Sequence, residues 1–517
     1  MIAANKFQGR REKNERVNLI GKQASAETES RLKSILSVNF GDLNSYENWD
    51  GTVGVPIVDI SEDERLKLET VLRGIVTSYD AKDTFMASIG RSSVEVLEAR
   101  GGEGKFFVKA VAKPSAADLG DLPRKLRDND IRAIIRGGGT GVVGGFKRDS
   151  GRLTVALDMS NLDSISIDGY TVRCGPGVKG LDLENFLNLK QLTCGHFPES
   201  MPDSTVGGWV STMASGQESN FYGDIESIVL GVDLYRSDFH LKDSGLPRES
   251  TGISGKSLAL GGEGRTGIIG EVTLKASPLP GKRYYSSYFF RHFRDGIEFL
   301  SSTGPHPAVV RLSDETETRF MFGLAPESTG KKILRTWLNF RGSGRDSGSL
   351  MIVISNDHKS WKRIPSGIRT GPRIARQWEK ERFGRPEIGN SLWRMGLVPD
   401  TIETSAEWGN LHGLYESTVK EFYRKCHSLG LRGIIMAHLS HLYRTGAAIY
   451  FTFVLGPAKS IRSGDLLELR KSLAGGFVEH GGSLSHHHGI GTDFTSLLPE
   501  GKLSLNRLVS DPVFGFQ

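Results

Sequence analysis

The feature that most limits how this chain can fold is a run of nine residues, six of them glycine, Gly137-Gly-Gly-Thr-Gly-Val-Val-Gly-Gly145, set directly behind the apolar run Ile131–Arg136. Glycine lacks a Cβ and accepts positive φ, so successive amides can turn into one concavity and hold an anion, with the Thr140 hydroxyl as a further donor. No Gly-Lys-Ser/Thr follows, which excludes a P-loop. The Gly-x-Gly-x-x-Gly reading has neither an adjoining helical pattern nor a well-placed acid, which excludes the dinucleotide fingerprint. Alone, the run is equally a tight structural turn. Two further stretches crowded with Gly, Ser and Thr follow, Gly195–Gly216 and Leu260–Gly270. Three such loops in one β-rich span are hard to explain as unrelated turns, and together they point to one long phosphate-bearing cofactor.

The loops fall within about residues 81–280, where short β-branched runs alternate with turns in an α+β pattern. Strands are expected at Phe106–Ala112, Arg132–Arg136, Leu153–Met159 and Thr171–Cys174, with helices inside Ser115–Asp128 and over Gly180–Leu192. A chain of 517 residues exceeds what one core serves, so more than one domain is expected. Residues 281–440 are richer in aromatics and arginine. Strands at Ala308–Leu312 and Ser349–Ser355 and helices at Lys331–Phe340 and Glu416–Leu429 would there build a substrate domain, a sheet covered by helices. The segment 441–517 carries the aromatic strand Ala447–Val454, a helix from Gly464 to about Glu479, and three consecutive histidines inside Gly481–Gly491. Ahead of all this, residues 1–80 are expected to hold a mobile polar tail to about Glu29 and one amphipathic helix from Ser61, its N-cap, to Val76.

The net charge of +6 is small for this length and spread along the chain, which favours an anionic small ligand and no nucleic acid. Cys174, Cys194 and Cys426 lie far apart without Cys-x-x-Cys spacing, so neither a disulfide scaffold nor a zinc site is expected. No apolar run approaches the ~20 residues that span a bilayer. A cytoplasmic location is expected. The nonapeptide from Arg16-Val17 to Gln23-Ala24, which resembles a peroxisomal import signal, gives the alternative.

Arg136–Gly145, Gly195–Gly216 with Asn220–Glu226, and Gly262–Glu271 resemble the FAD-binding segments of the vanillyl-alcohol-oxidase/p-cresol-methylhydroxylase flavoproteins. Ile402–Trp408, Ala447–Phe453 and Gly482–Gly491 narrow the resemblance to the alkyldihydroxyacetonephosphate synthase family. It spans about residues 85–495 and implies a PCMH-type FAD-binding domain of two α+β subdomains, with noncovalent FAD. The implied FAD contacts are Arg136, Gly137, Gly138, Gly139, Thr140, Gly141 and Val142 in the first loop. In the second they are Glu199, Ser200, Met201, Pro202, Asp203, Ser204 and Thr205, with Thr212, Met213, Ala214 and Ser215. In the third they are Glu263, Gly264, Arg265, Thr266, Gly267, Ile268 and Ile269.

The resemblance further implies a reaction without net redox change, in which acyl-dihydroxyacetone phosphate loses its fatty acid through an adduct at flavin N5 and gains a fatty alcohol. Implied partners are therefore a lipid phosphate ester and a fatty alcohol, with peripheral membrane contact and a homodimer. Such chemistry needs acid/base groups beside the flavin. Tyr450 matches the family's catalytic tyrosine; read from residues alone it is a strand-core aromatic, and a phenol of pKa ~10 moves a proton only with help from its surroundings. His486, His487 and His488 match the family's histidine run, and imidazoles near pKa ~6.5 shuttle protons at neutral pH. A metal site is not expected there. Arg311 matches an arginine near the site, with a plain salt bridge as the other reading. His438 and His441 are recommended by position only.

The chain departs from the family at Gly389, which stands where the substrate-binding arginine is expected; Arg385 or Arg394 could substitute from nearby. Met213, Arg265 and Thr492 replace the usual arginine, threonine and lysine. The chain thus reads as a divergent member. Two alternatives remain open: an FAD-dependent dehydrogenase or oxidase of a 2-hydroxy acid or related alcohol, and a flavin-binding paralogue without activity.

Overall fold

The structure is a computed structural model that describes residues 15–515 except 57, 105, 148–150, 305–306, 327–347, 357–363 and 365. The expected helix Lys331–Phe340 lies outside the described residues. Strands and helices mix as α+β. The region holding the glycine loops consists of two sheets with separate cores. One sheet has four strands in the order Val76–Ser78, Val108–Lys113, Thr154–Asp158 and Arg132–Arg136, the last three parallel. Its three parallel strands are largely buried and mostly apolar, as parallel strands are, while the antiparallel edge strand Val76–Ser78 is exposed to half-buried. The other has five antiparallel strands, with Val229–Tyr235, Ile268–Lys275 and Thr171–Cys174 at its centre.

The larger sheet has seven antiparallel strands in the order Ile368–Arg369, Arg283–Phe290, Ser349–Asn356, Val309–Ser313, Arg432–Leu442, Gly446–Gly456 and Val398–Glu407. A division at residue 440 would cut through it. Strand Gly446–Gly456 is paired along its length with the strands on either side, so the C-terminal segment completes the substrate-domain sheet. The helices Trp408–Ser428 and Ser463–Glu479 pack on one face through Leu411, Leu414, Phe422, Leu466 and Phe477. The other face looks toward the glycine loops.

The N-terminal segment departs from expectation. Within the stretch read as a tail, Arg16–Asn18 pairs with Thr52–Gly54, and Ala26–Phe40 is a helix capped by Ser25 that buries Leu32, Leu36 and Phe40. The basic and polar residues of that helix face outward and mask its apolar stripe when the segment is read by composition. Ser61 is the N-cap, in a capping box with Glu64, but its helix stops at Val71. Past Gly74, at φ +89, the chain turns into the strand Val76–Ser78. Three further helices, Glu315–Leu324, Arg373–Glu381 and Arg385–Arg394, cover the seven-stranded sheet where sequence periodicity shows none clearly.

Candidate active site

The glycine run follows the strand Arg132–Arg136 and folds against 203–205. A Cβ on Gly138 would sit 2.1 Å from the carbonyl oxygen of Asp203, a distance no side chain survives, so the close approach of the two loops requires glycine. Among the described residues, the N–H groups of Gly138, Gly139 and Thr140 meet no backbone acceptor. Behind the second loop the helix Val206–Thr212 begins at Thr205, whose hydroxyl accepts the N–H of Gly208. The sequence showed few helix formers here, and the helix stands on this cap and on buried Trp209 and Val210. Free loop amides suit an anionic, phosphate-bearing cofactor.

These loops form one wall of a cavity of about 930 Å³ whose other wall is the open face of the seven-stranded sheet. That volume is at the upper end of the roughly 300–1,000 Å³ typical of cofactor and ligand sites. Of the expected FAD contacts, Arg136 to Val142, Glu199, Ser200, Pro202 to Thr205, Thr212, Ala214, Ser215, Glu263, Gly264, Gly267 and Ile269 line it. Met201 and Ile268 are buried in the cores, and Met213 lines a second cavity. Arg265 and Thr266 are also buried outside the lining; Arg265 pairs with Glu263 at 2.6 Å and donates to the Gly491 carbonyl. Glu263 in turn accepts the N–H groups of Ile490 and Gly491. This pair ties the third glycine loop to the segment after the histidines. Gly491, at φ +51, would place a Cβ 1.8 Å from the Val143 carbonyl oxygen, so the joint depends on glycine there.

The sheet face is organised by register. His438 pairs with Tyr450, and Tyr450 pairs with Glu403, so the three stand in one row across adjacent strands. Ser313 is opposite His438, which puts Arg311, two residues earlier, on the same face. His438 stacks on Tyr450 with ring centres 5.0 Å apart and lies 3.0 Å from an Arg311 nitrogen. Arg311 also meets buried Glu317 at 2.6 Å. His441, at φ +51 on a bulge between Ser440 and Leu442, is turned toward Ser219, whose hydroxyl lies 2.8 Å from its Nδ1.

The histidine loop is hung on Glu403. Its carboxylate, buried in the sheet, accepts the Ser485 hydroxyl and the N–H groups of His486, His487 and His488. Burial opposes its charge, yet the three imidazoles and the Ser485 hydroxyl more than offset this and hold the carboxyl well below its usual range. Burial pushes His487 and His488 below the ordinary imidazole value, with Glu403 opposing, so both are neutral near pH 7. His487 and His488 line the main cavity with Tyr450, whereas His486 lines the second. His487 stacks beside Tyr450 at 6.1 Å and His488 meets its edge at 5.5 Å. Glu403, His486 and His487 lie close enough to hold a metal ion, but Glu403 already takes four donors from its own loop. The site suits proton transfer better.

Of the expected substrate residues, Arg311 and Gly389 line the cavity and Arg394 does not. Arg394 instead donates to Gln23 near the surface, because its turn of helix faces the N-terminal segment. The side chain of Arg385 lies outside the described residues. The described cations on the cavity wall are engaged: Lys22 with Glu387, Arg91 with Asp203, Arg311 with Glu317, and Arg136 with the Ile89 carbonyl. Much of the remaining wall is apolar, with Phe320, Met321, Ile388, Leu392, Met436 and Val454. Glu403, Glu317, Tyr443 and Asp224 were not singled out from sequence. An acid placed in an otherwise apolar strand, Ile402-Glu-Thr, was the available signal for Glu403.

A profile described as "FAD binding domain" matches residues 108–241, and one described as "FAD linked oxidases, C-terminal domain" matches 279–502. The alkyldihydroxyacetonephosphate synthase of Dictyostelium discoideum is 27% identical over 441 residues, 79% of this chain and 72% of its own. A solved alkyldihydroxyacetonephosphate synthase superposes with a TM-score of 0.76 at 22% identity over 93% of this chain and 90% of that one. Substrate-bound p-cresol methylhydroxylase superposes at 0.65 with 13% identity, over 87% of this chain and 94% of its own. The fold is thus of the PCMH type, and FAD is its cofactor.

Proposed function

Starting from the FAD-binding and FAD-linked-oxidase models that match this chain, we propose that it is an ether-lipid synthase of the alkyldihydroxyacetonephosphate synthase kind, exchanging the acyl group of acyl-dihydroxyacetone phosphate for a fatty alcohol. The observation that carries this reading is one cavity in which an apolar wall runs up to the proton-handling row of His438, Tyr450 and His487. A hydroxy acid of a few carbons has no use for that wall, while each buried methylene of an alkyl chain contributes about 0.8 kcal/mol. The names of the similar proteins point the same way.

Bound in the loops, FAD would supply a ring that can exchange an electron pair with the substrate carbon. The chain's own residues do the rest. His487, neutral in the cavity, is the base for the hydroxyl of the incoming alcohol. Tyr450, held between His438 and the histidine loop, presents its hydroxyl for proton exchange at the substrate's carbon backbone. Arg311 and His438 offer donors to the polar head, though Glu317 offsets the arginine's charge. The apolar wall excludes water that would otherwise compete with the alcohol. Incubation of the FAD-loaded protein with palmitoyl-dihydroxyacetone phosphate and radiolabelled hexadecanol tests this. Label in an alkali-stable ether supports the reading, and its absence, with labelled alcohol recovered unchanged, removes it.

A further inference from the structure

Beside the main cavity lies a second one, of about 410 Å³, lined by Asp224, Glu226, Glu407, Tyr443 and His486 among others. The reaction described above uses none of the first four. Between the two cavities runs an unbroken line of short hydrogen bonds. His487 Nδ1 is 2.9 Å from His486 Nδ1, His486 Nε2 is 2.6 Å from the Tyr443 hydroxyl, and that hydroxyl is 2.6 Å from Asp224 Oδ2. We propose that His486, Tyr443 and Asp224 are a proton relay, which carries the proton taken up by His487 in the reaction cavity out to the acidic second cavity. The proposal rests on His487 acting as the base of the reaction above.

Direction follows from what each group can donate. An ionised carboxylate accepts only, so the single Tyr443 proton goes to Asp224. The Tyr443 oxygen must then accept from His486, which places a proton on Nε2 of that ring. His486 Nδ1 is left as an acceptor and takes the N–H of His487 Nδ1. The lone pair of His487 therefore falls on Nε2, the nitrogen left for the reacting hydroxyl. When Nε2 takes a proton, the Nδ1 proton of His487 moves to His486, the Nε2 proton of His486 moves to Tyr443, and the Tyr443 proton moves to Asp224. One proton enters and one leaves, every ring ends neutral, and Asp224 becomes a carboxylic acid that reionises into the second cavity.

The surroundings support the starting state. Burial opposes the charge of Asp224, but His441 and the bonds from Tyr443 and Ser215 outweigh it and keep the carboxyl below its ordinary value. Burial and Asp224 together push the Tyr443 phenol well above its ordinary value, so it passes a proton on without resting as phenolate. The other titratable groups facing the line are His441, whose ring lies 5.2 Å from that of His486, and His488, whose ring lies 4.4 Å from that of His487, with Tyr450 and His438 on the side of the reaction cavity, Glu403 beneath the loop, and Glu226 and Glu407 across the second cavity.

The test is nitrogen-15 NMR of histidine-labelled, FAD-loaded protein, with the His487 signals assigned by their loss in His487→Gln. No substrate is needed, so the result is separate from the identity of the reaction. The expected result is His487 protonated on Nδ1 in the wild type, with that preference lost in Tyr443→Phe while FAD content is unchanged. In turnover, Tyr443→Phe and Asp224→Asn should each be slowed about 100-fold. Added formate should restore part of the rate to Asp224→Asn through the second cavity, and not to Tyr443→Phe. His487 protonated on Nε2 in the wild type, or Tyr443→Phe keeping both the Nδ1 tautomer and the rate within twofold, would overturn the relay. Should Asp224→Asn fail to fold, the tautomer reading of Tyr443→Phe alone decides.

Discussion

Replacing Glu403 by glutamine tests how the site is assembled. Oε1 accepts the Ser485 hydroxyl at 2.7 Å and the N–H groups of His487 and His488 at 3.2 and 3.0 Å, while Oε2 accepts the His486 N–H at 2.7 Å. The best placement of a glutamine keeps its oxygen at the busier position and turns its NH2 toward the His486 N–H, donor against donor. One charge-assisted bond of about 1.5–3 kcal/mol is lost, a buried donor is left without an acceptor, and the surviving bonds become neutral. Partial relaxation leaves a net cost of roughly 2–4 kcal/mol, concentrated in the loop 483–491. At 1.36 kcal/mol per decade, amide exchange of the peptide 483–491 should accelerate about 30- to 900-fold, with the strand Ile268–Lys275 unchanged as internal control. Exchange within threefold of wild type would show that Glu403 does not hold the histidines. The sign with pH is also fixed. A carboxyl whose folded value is depressed contributes stability that is complete above its unfolded value of about 4.3 and is lost as pH falls through the folded one. Glu403 therefore adds no pH dependence between pH 8 and pH 5, whereas His487 and His488, whose folded values lie below the ordinary imidazole value of about 6.5, should make wild-type loop protection, corrected for intrinsic exchange, fall as pH drops below that value; protection that rises in that window would contradict their depressed values.

Tyr450→Phe removes only a hydroxyl from a strand position packed against His438 and His487, so flavin spectrum and thermal stability should stay as they are while turnover falls about 10²–10⁴-fold; activity within a few-fold would make Tyr450 a packing residue. At Gly389 an added Cβ meets only Pro399 Cγ at 3.9 Å. Gly389→Arg therefore has room, and one charge-assisted contact should lower KM for acyl-dihydroxyacetone phosphate by about one to two powers of ten. A KM that does not fall, or loss of activity on the phosphate ester, would mean that this ester is not the native substrate. FAD should be held without a covalent bond, so acid precipitation should release it into the supernatant; flavin remaining in the pellet would contradict this.

What the sequence revealed and what it hid have physical reasons. The three glycine loops were legible because close backbone approach leaves few alternatives to glycine, as at Gly138 and Gly491. Tyr450 and the histidine triplet were legible as a pattern, but nothing in their spacing shows that His486 and His487 open onto different cavities. That depends on how Glu403 gathers the loop's N–H groups from a strand some eighty residues away. Arg394 was misplaced because helix Arg385–Arg394 turns that side chain toward the N-terminal segment, a segment whose polar composition concealed its helix Ala26–Phe40. The lone arginine at 311 could be read equally as a clamp or as an ion pair. Glu317, six residues on in a helix, makes it an ion pair that still borders the cavity.

The most direct test of the central claim is anaerobic mixing of the FAD-loaded protein with palmitoyl-dihydroxyacetone phosphate and hexadecanol, recording the flavin spectrum while fatty acid and ether are quantified. The account predicts fatty acid and ether in equal amounts, no requirement for an electron acceptor, and a flavin that ends the reaction as oxidised as it began. A flavin left fully reduced by a 2-hydroxy acid, together with no fatty acid released from the ester, would contradict it.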